Sequence, residues 1–286
     1  MGLNFNATKC LLYARSIGVN YESTAMIGRQ ILYTTKNEFR ENFKAYGYEI
    51  NDSSIKSILE KYNGYSEAFF KKLGAKSIDS FDNSNYEDAT EIHDFNKSIP
   101  EKYKGKYSVV FDGGSLEHIF TFPTAIKNCM EMIKTGGYYL ALTPTNNWMG
   151  HGFYQFSPEL YFRIFNKANG FELTNMIIYE RDTKSSFYSV VDPELIRERV
   201  ILSNYLRCNL FVIAQKVSDR EIFSQIPMQT DYIDRWKEGK TSIEDAQTYK
   251  PPNGFRITTI KLLTKLIKLV SVNRGYDPKF FKKMDI

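Results

Sequence analysis

The chain has 286 residues, of which 42% are hydrophobic, 15% aromatic and 25% charged. That size suits one large domain with additions and can bury a sizeable core, and no apolar run reaches the roughly 20 residues needed to span a bilayer. The net charge of +5 is uneven: residues 251–286 hold eight Lys/Arg and two Asp, which leaves the body near neutral and argues against a nucleic-acid channel through it.

The opening MGLNFNATKCLLYARSIG has a short apolar stretch broken by Arg15 and no small-residue cleavage pattern, so a signal peptide is not expected. Cys10, Cys129 and Cys208 are odd in number and far apart, which predicts reduced thiols and a cytoplasmic location. Further on, short apolar runs alternate with helical patterns. Strands are predicted at 76–82 (KSIDSFD), 89–94 (ATEIHD), 107–112 (YSVVFD) and 138–144 (YYLALTP). Between the last two, Ala125, Ile126, Cys129, Met130 and Ile133 recur at helical spacing, and Gly136-Gly137 is read as the stop. Strands follow at 172–180 and 209–217, with a helix from Pro193 onward between them. A basic amphipathic helix is predicted at 255–270, with a minority reading as a peripheral contact to an anionic membrane.

Strands alternating with helices predict an α/β domain with a parallel sheet, whose ligands bind beyond the carboxyl ends of the strands. Three of these strands end in aspartate, at Asp82, Asp94 and Asp112. A carboxylate there can accept hydrogen bonds from ribose hydroxyls or a base amine. Gly113 and Gly114 beside Asp112 would let backbone approach a flat ligand, so VVFDGG reads as the floor of a nucleoside site.

The order acid at 82, acid at 94, VVFDGGSLEHIF, helix, then MIKTGGYYLALTP resembles class I S-adenosylmethionine-dependent methyltransferases. The resemblance covers about 23–217. It implies a Rossmann-like fold with a mostly parallel seven-stranded sheet, helices on both faces, and extra helical segments at both termini. It also implies S-adenosylmethionine as cofactor, with Asp82 and Asn83 at the ribose, Asp94 and Phe95 at the adenine, and Asp112, Gly113, Gly114 and Glu117 along the floor and amino-acid end. The family's G-x-G-x-G loop is absent. Its place is assigned to a loop Gly28-Arg29-Gln30, with Gly28 and Arg29 at the cofactor, at the end of a strand in STAMIGRQIL (23–32), followed by a helical insertion at 37–74; Gly64, 18 residues before Asp82, is the alternative. The expected boundaries are a methyltransferase-like domain at 1–220 and a C-terminal extension at 221–286.

Methyl transfer to oxygen usually needs a base. The chain has three histidines, and His151 in NNWMGHGFYQFSPEL is the first candidate, His118 the second. Asn147, Tyr154 and Gln155 in the same aromatic-rich loop are candidate contacts to a small or sugar-containing acceptor, with core packing under the loop at least as good a reading. GHGFYQFSPE is also similar to methyltransferase-like proteins of surface-polysaccharide clusters. No metal site is expected, because no i,i+4 pair or tight cluster of ligands stands in the sequence. The competing readings are a non-catalytic module that keeps the fold, and a nicotinamide oxidoreductase, which the missing G-x-G-x-x-G disfavours.

Overall fold

The computed structural model describes residues 2–181, 185–230, 232 and 275–286. In chain order the strands are β1 (Gly2–Leu3), β2 (Ser23–Ile27), β3 (Ile31–Leu32), β4 (Ser77–Asp82), β5 (Glu91–Ile92), β6 (Tyr107–Asp112), β7 (Ile133–Pro144), β8 (Phe171–Glu180), β9 (Phe187–Val190), β10 (Cys208–Lys216) and β11 (Phe281–Met284). The helices are α1 (Phe5–Ser16), α2 (Lys36–Ala45), α3 (Asp52–Glu60), α4 (Glu67–Leu73), α5 (Phe122–Met132), α6 (Pro158–Ile164) and α7 (Pro193–Ile196).

β6 is buried at all six positions, as a central strand covered on both faces must be. From Val109 onward its side chains alternate between two cores. Val110 joins the core under α5 and α6, whereas Val109 and Phe111 join the core under α1 to α4; Tyr107, which precedes a register shift, lies on the Val110 side. On the second face, Phe70 of α4 packs against Phe111 with ring centroids 5.4 Å apart. Asn42 of α2 donates to the Phe5 carbonyl at 2.9 Å and binds the helical insertion to α1. Thr35 and Glu38 cap α2 reciprocally.

The main sheet has nine strands in the order β11-β9-β8-β10-β7-β6-β2-β4-β5. The pairings from β5 to β7 are parallel, and those from β7 to β11 are antiparallel. The expected mostly parallel seven-stranded sheet is therefore corrected: the seven strands are present, but half of the pairings are antiparallel and β9 and β11 extend one edge. Residues 281–284 form a strand, β11, on this sheet, which was not expected. The predicted helix at 255–270 lies outside the described residues.

Three local expectations also change. Gly136-Gly137 does not stop α5, which ends at Met132; the pair lies inside β7. A Cβ on Gly137 would stand 2.8 Å from the Ser108 carbonyl oxygen, so glycine there permits the close approach of β7 to β6. The helix from Pro193 lasts one turn, because Arg197 turns left-handed at φ 51°. β5 is only two residues long, so Asp94 lies two residues beyond its end.

Candidate functional site

β2, β4 and β6 run parallel side by side, which brings their carboxyl ends together. At these ends lies a cavity of about 370 Å³, lined among others by Gly28, Arg29, Asp82, Asn83, Asp94, Phe95, Gly114 and His118. Seven of the predicted cofactor residues thus meet around one space. Asp82 accepts a hydrogen bond from the Ser84 amide at 3.1 Å, which uses one of the roughly four acceptor positions of a carboxylate. Asp94 accepts from the Asn96 amide and side chain at 3.0 and 2.9 Å. Those bonds from Asn96, side chain first, hold its carboxyl below the usual range. Phe95 is 4% exposed and stands edge-on to Phe81.

Asp112 does not face the cavity. Its carboxylate is fully buried and accepts from the amides of Ser115 (2.7 Å) and Gly114 (3.1 Å), so it ties the turn after β6. The expected nucleoside floor is corrected here: Asp112 shapes the turn, and only Gly114 of the Asp-Gly-Gly run lines the space. Gly113 serves packing, since a Cβ there would stand 2.4 Å from Cδ of Gln30. Gln30 is itself 1% exposed and fills the region beside Gly28 and Gly113. Arg29 is engaged structurally as well. It pairs with Glu67 of α4 at 2.6 Å, donates to the Glu87 carbonyl at 2.8 Å and lies over the Tyr65 ring.

The turn Leu116–His118 and the loop after β7 meet beside this cavity. The Glu117 carbonyl accepts from the Phe153 amide at 2.7 Å, and a Cβ on Gly152 would collide with the same carbonyl at 2.7 Å. The loop is thereby pressed onto the turn, and the His118 and His151 rings stand edge to face with centroids 4.9 Å apart. The Trp148 ring also stands 4.9 Å from His151, and its indole N–H donates to the Cys208 carbonyl. His151 Nε2 stands 3.7 Å from Oε1 of Glu117. Glu117 is fully buried, and neither carboxylate oxygen has a hydrogen-bond partner among the described residues; His151 Nε2 is likewise unpartnered.

Burial pushes the Glu117 carboxyl well up, and the charge of Asp112 adds to it. Burial pushes both histidines down, His118 further by its neighbour His151, and His151 further by Arg181 and Arg207. Each of these shifts favours the neutral form of its group. The expectation that no tight ligand cluster exists is corrected: one donor atom from each of Glu117, His118 and His151 lies within 4.8 Å of the others.

The predicted acceptor residues are otherwise engaged. The Asn147 amide donates to the Asn204 side chain at 2.8 Å and to the Leu206 carbonyl at 2.9 Å. Gln155 accepts from the Trp148 amide at 2.7 Å, and the Tyr154 hydroxyl donates to the Phe120 carbonyl at 2.5 Å. These contacts brace the loop. Sequence reading missed Ser115, His93, Asn96 and Ile119 as cavity residues. Ser115 had a signal, its place directly after Asp-Gly-Gly; its hydroxyl donates to the Ile27 carbonyl at 2.7 Å and joins the turn to the end of β2.

Numbered along the chain, the seven-stranded part runs 3-2-1-4-5-7-6 with the seventh strand, β10, reversed between its neighbours. That arrangement, with the cavity at the ends of the parallel strands, defines a Rossmann-like fold of the class I methyltransferase type. No family model matches the chain, and no curated protein matches it either. Among solved structures, similarity is found to a Bacillus halodurans protein assigned as a methyltransferase, at 11% identity, 74% of this chain, 100% of that chain and TM-score 0.38. A Galdieria sulphuraria protein assigned as a sarcosine dimethylglycine methyltransferase shows 12% identity, 76% and 87% coverage and TM-score 0.44. The branched-chain polyamine synthase of Thermus thermophilus shows 9% identity, 78% and 61% coverage and TM-score 0.38. At these values the likeness fixes no activity, substrate or residue role.

Proposed function

We propose that the chain is an S-adenosylmethionine-dependent methyltransferase acting on a hydroxyl of a small or sugar-containing acceptor, in surface-polysaccharide synthesis by the resemblance of its GHGFYQFSPE loop. The observation that carries this reading is the cavity bordered by Asp82, Asp94 and Gly28 with a histidine of the Glu117 cluster in its wall. The residues fit the cofactor. Gly28, Asp82 and Asp94 border one cavity, and its volume lies in the range of small-molecule sites. Asp82 would accept the ribose hydroxyls, and Asp94 with the Phe95 backbone would meet the adenine edge. S-adenosylmethionine, when bound, supplies an electrophilic methyl group on a sulfonium.

The chain's own task is to hold the acceptor oxygen in line with that methyl and to take up the proton the hydroxyl loses. His151, kept neutral by burial, is suited to receive it, with His118 as second candidate. A second reading, a module that keeps the fold without turnover, is favoured by Gln30, whose side chain packs where the family carries glycine.

Calorimetric titration with S-adenosylhomocysteine, with NAD as control, separates the two. Micromolar binding of the first alone supports the enzyme reading, and absence of binding in folded protein supports the module. Asp82→Ala should weaken the binding at least about tenfold, the scale of hydrogen bonds to a charged group. An unchanged Kd would sink the ribose assignment.

A further inference from the structure

We propose that Glu117, His118 and His151 form a binding site for a divalent transition cation, with Zn²⁺ the ion best matched to its donors. Two imidazoles and one carboxylate are a common catalytic zinc set, with a position left open for water or substrate. The same three donors also suit other first-row ions, while hard Mg²⁺ prefers oxygen alone. Proximity alone would carry little. The second observation is Glu117: it is fully buried, both of its oxygens lack a hydrogen-bond partner among the described residues, and the unpartnered Nε2 of His151 stands 3.7 Å away.

A buried carboxylate without a partner costs free energy that a native fold ordinarily avoids. A cation between Glu117 and the two imidazoles removes that cost. Tetrahedral zinc holds neighbouring donors roughly 3.4 Å apart, given metal–donor bonds near 2.1 Å. The 3.7 Å contact is close to this spacing, and the 4.8 Å bound on the three donors asks for side-chain movement of about an ångström. His118 and His151 are not fully buried and can make it. The backbone beneath is already set by the Phe153 amide on the Glu117 carbonyl and by Gly152 pressed against it.

The cation would stand beside the cavity whose wall includes His118. There it would hold an acceptor hydroxyl as a ligand and lower its pKa, the proton leaving to water; His151 would then be a ligand, and the base role given to it above belongs to the metal-free chain. This role rests on the methyl-transfer reading, whereas the site itself does not.

The test is titration of the untagged, chelator-treated full chain with Co²⁺, followed by visible ligand-field absorption, and with Zn²⁺ in competition. One equivalent should bind, with the intense bands of a four- or five-coordinate ion, and Zn²⁺ should displace it. Glu117→Gln and His151→Ala should each weaken binding by more than about 100-fold, beyond what loss of an outer partner causes. His93→Ala, which removes the one histidine outside the cluster, should leave it unchanged. Thermal melts of each variant report folding, and if Glu117→Gln does not fold, His118→Ala takes its place. Absence of stoichiometric binding, or binding that survives these variants, overturns the proposal. Calorimetry with S-adenosylhomocysteine on the same samples is independent, so failure of the metal site and failure of the methyltransferase reading are told apart.

Discussion

Gly28 sits at φ 71°, where side chains other than glycine are strained, and a Cβ there would meet the Ser115 hydroxyl oxygen at 2.4 Å. Ser115 cannot easily move, because its hydroxyl donates to the Ile27 carbonyl. Gly28→Ala therefore carries two costs: about 1–2 kcal/mol for left-handed backbone and about 1–3 kcal/mol for overpacking. Gly47 is the control. It has nearly the same φ, 73°, but nothing within 4 Å of its Cβ position, so Gly47→Ala should show the backbone cost alone. Urea unfolding of both variants measures the difference. Equal losses would mean that the Ser115 contact yields freely. This constraint was partly legible: a glycine after a buried strand in an α/β sequence suggests a close approach. Its partner was not, since Ser115 stands 87 positions away in the sequence.

β4 shows how an element is held in place by its polar side chains. Asp79 accepts from the Lys106 ammonium and the Tyr107 hydroxyl, both at 2.7 Å, which links β4 to the start of β6 across β2. Burial alone would push the Asp79 carboxyl up, but these two bonds outweigh it and hold it below its usual value. A lowered folded-state pKa contributes stability that is present above the unfolded value, about 3.9, and fades as pH falls through the folded value. Asp79→Asn should thus cost about 1–2 kcal/mol at neutral pH and progressively less in acid. Denaturant midpoints at several pH values check this, and a pH-independent deficit would refute it. Strands of this kind were legible because a short apolar run marks them, as Val109-Val110-Phe111 does in YSVVFD. The lengths of β5 and α7 were not. The apolar pattern near both continues, while Asp94 turning to cap Asn96 and Arg197 turning left-handed end the elements. The meeting of Glu117 with His151 was hidden for the same reason, as it depends on how Gly152 seats a 13-residue loop between β7 and α6.

For the molecule as a whole, the sheet separates two cores, and its completeness depends on the chain's last residues. β11 pairs with β9, with Phe281 opposite Val190 and Met284 opposite Phe187. Phe281 is 3% exposed and stands against Tyr276, whose ring stacks on Tyr188 at 4.0 Å. Between Phe281 and Met284, Lys282 and Lys283 point outward, the charged pattern that keeps an edge strand from pairing with another chain. Phe281 also borders a second cavity of about 280 Å³ with Thr145, Ser157 and Pro158, so it faces the two ends of the loop that carries His151. Phe281→Ala should cost about 3–5 kcal/mol, the range for truncating a buried phenylalanine, whereas Lys282→Ala should stay within about 0.5 kcal/mol of the parent. If β11 packs as an integral strand, Phe281→Ala will lower the midpoint of a single cooperative unfolding transition. A second early transition, or no change, would mean that the last strand folds apart from the sheet and that the loop bearing His151 is held without it.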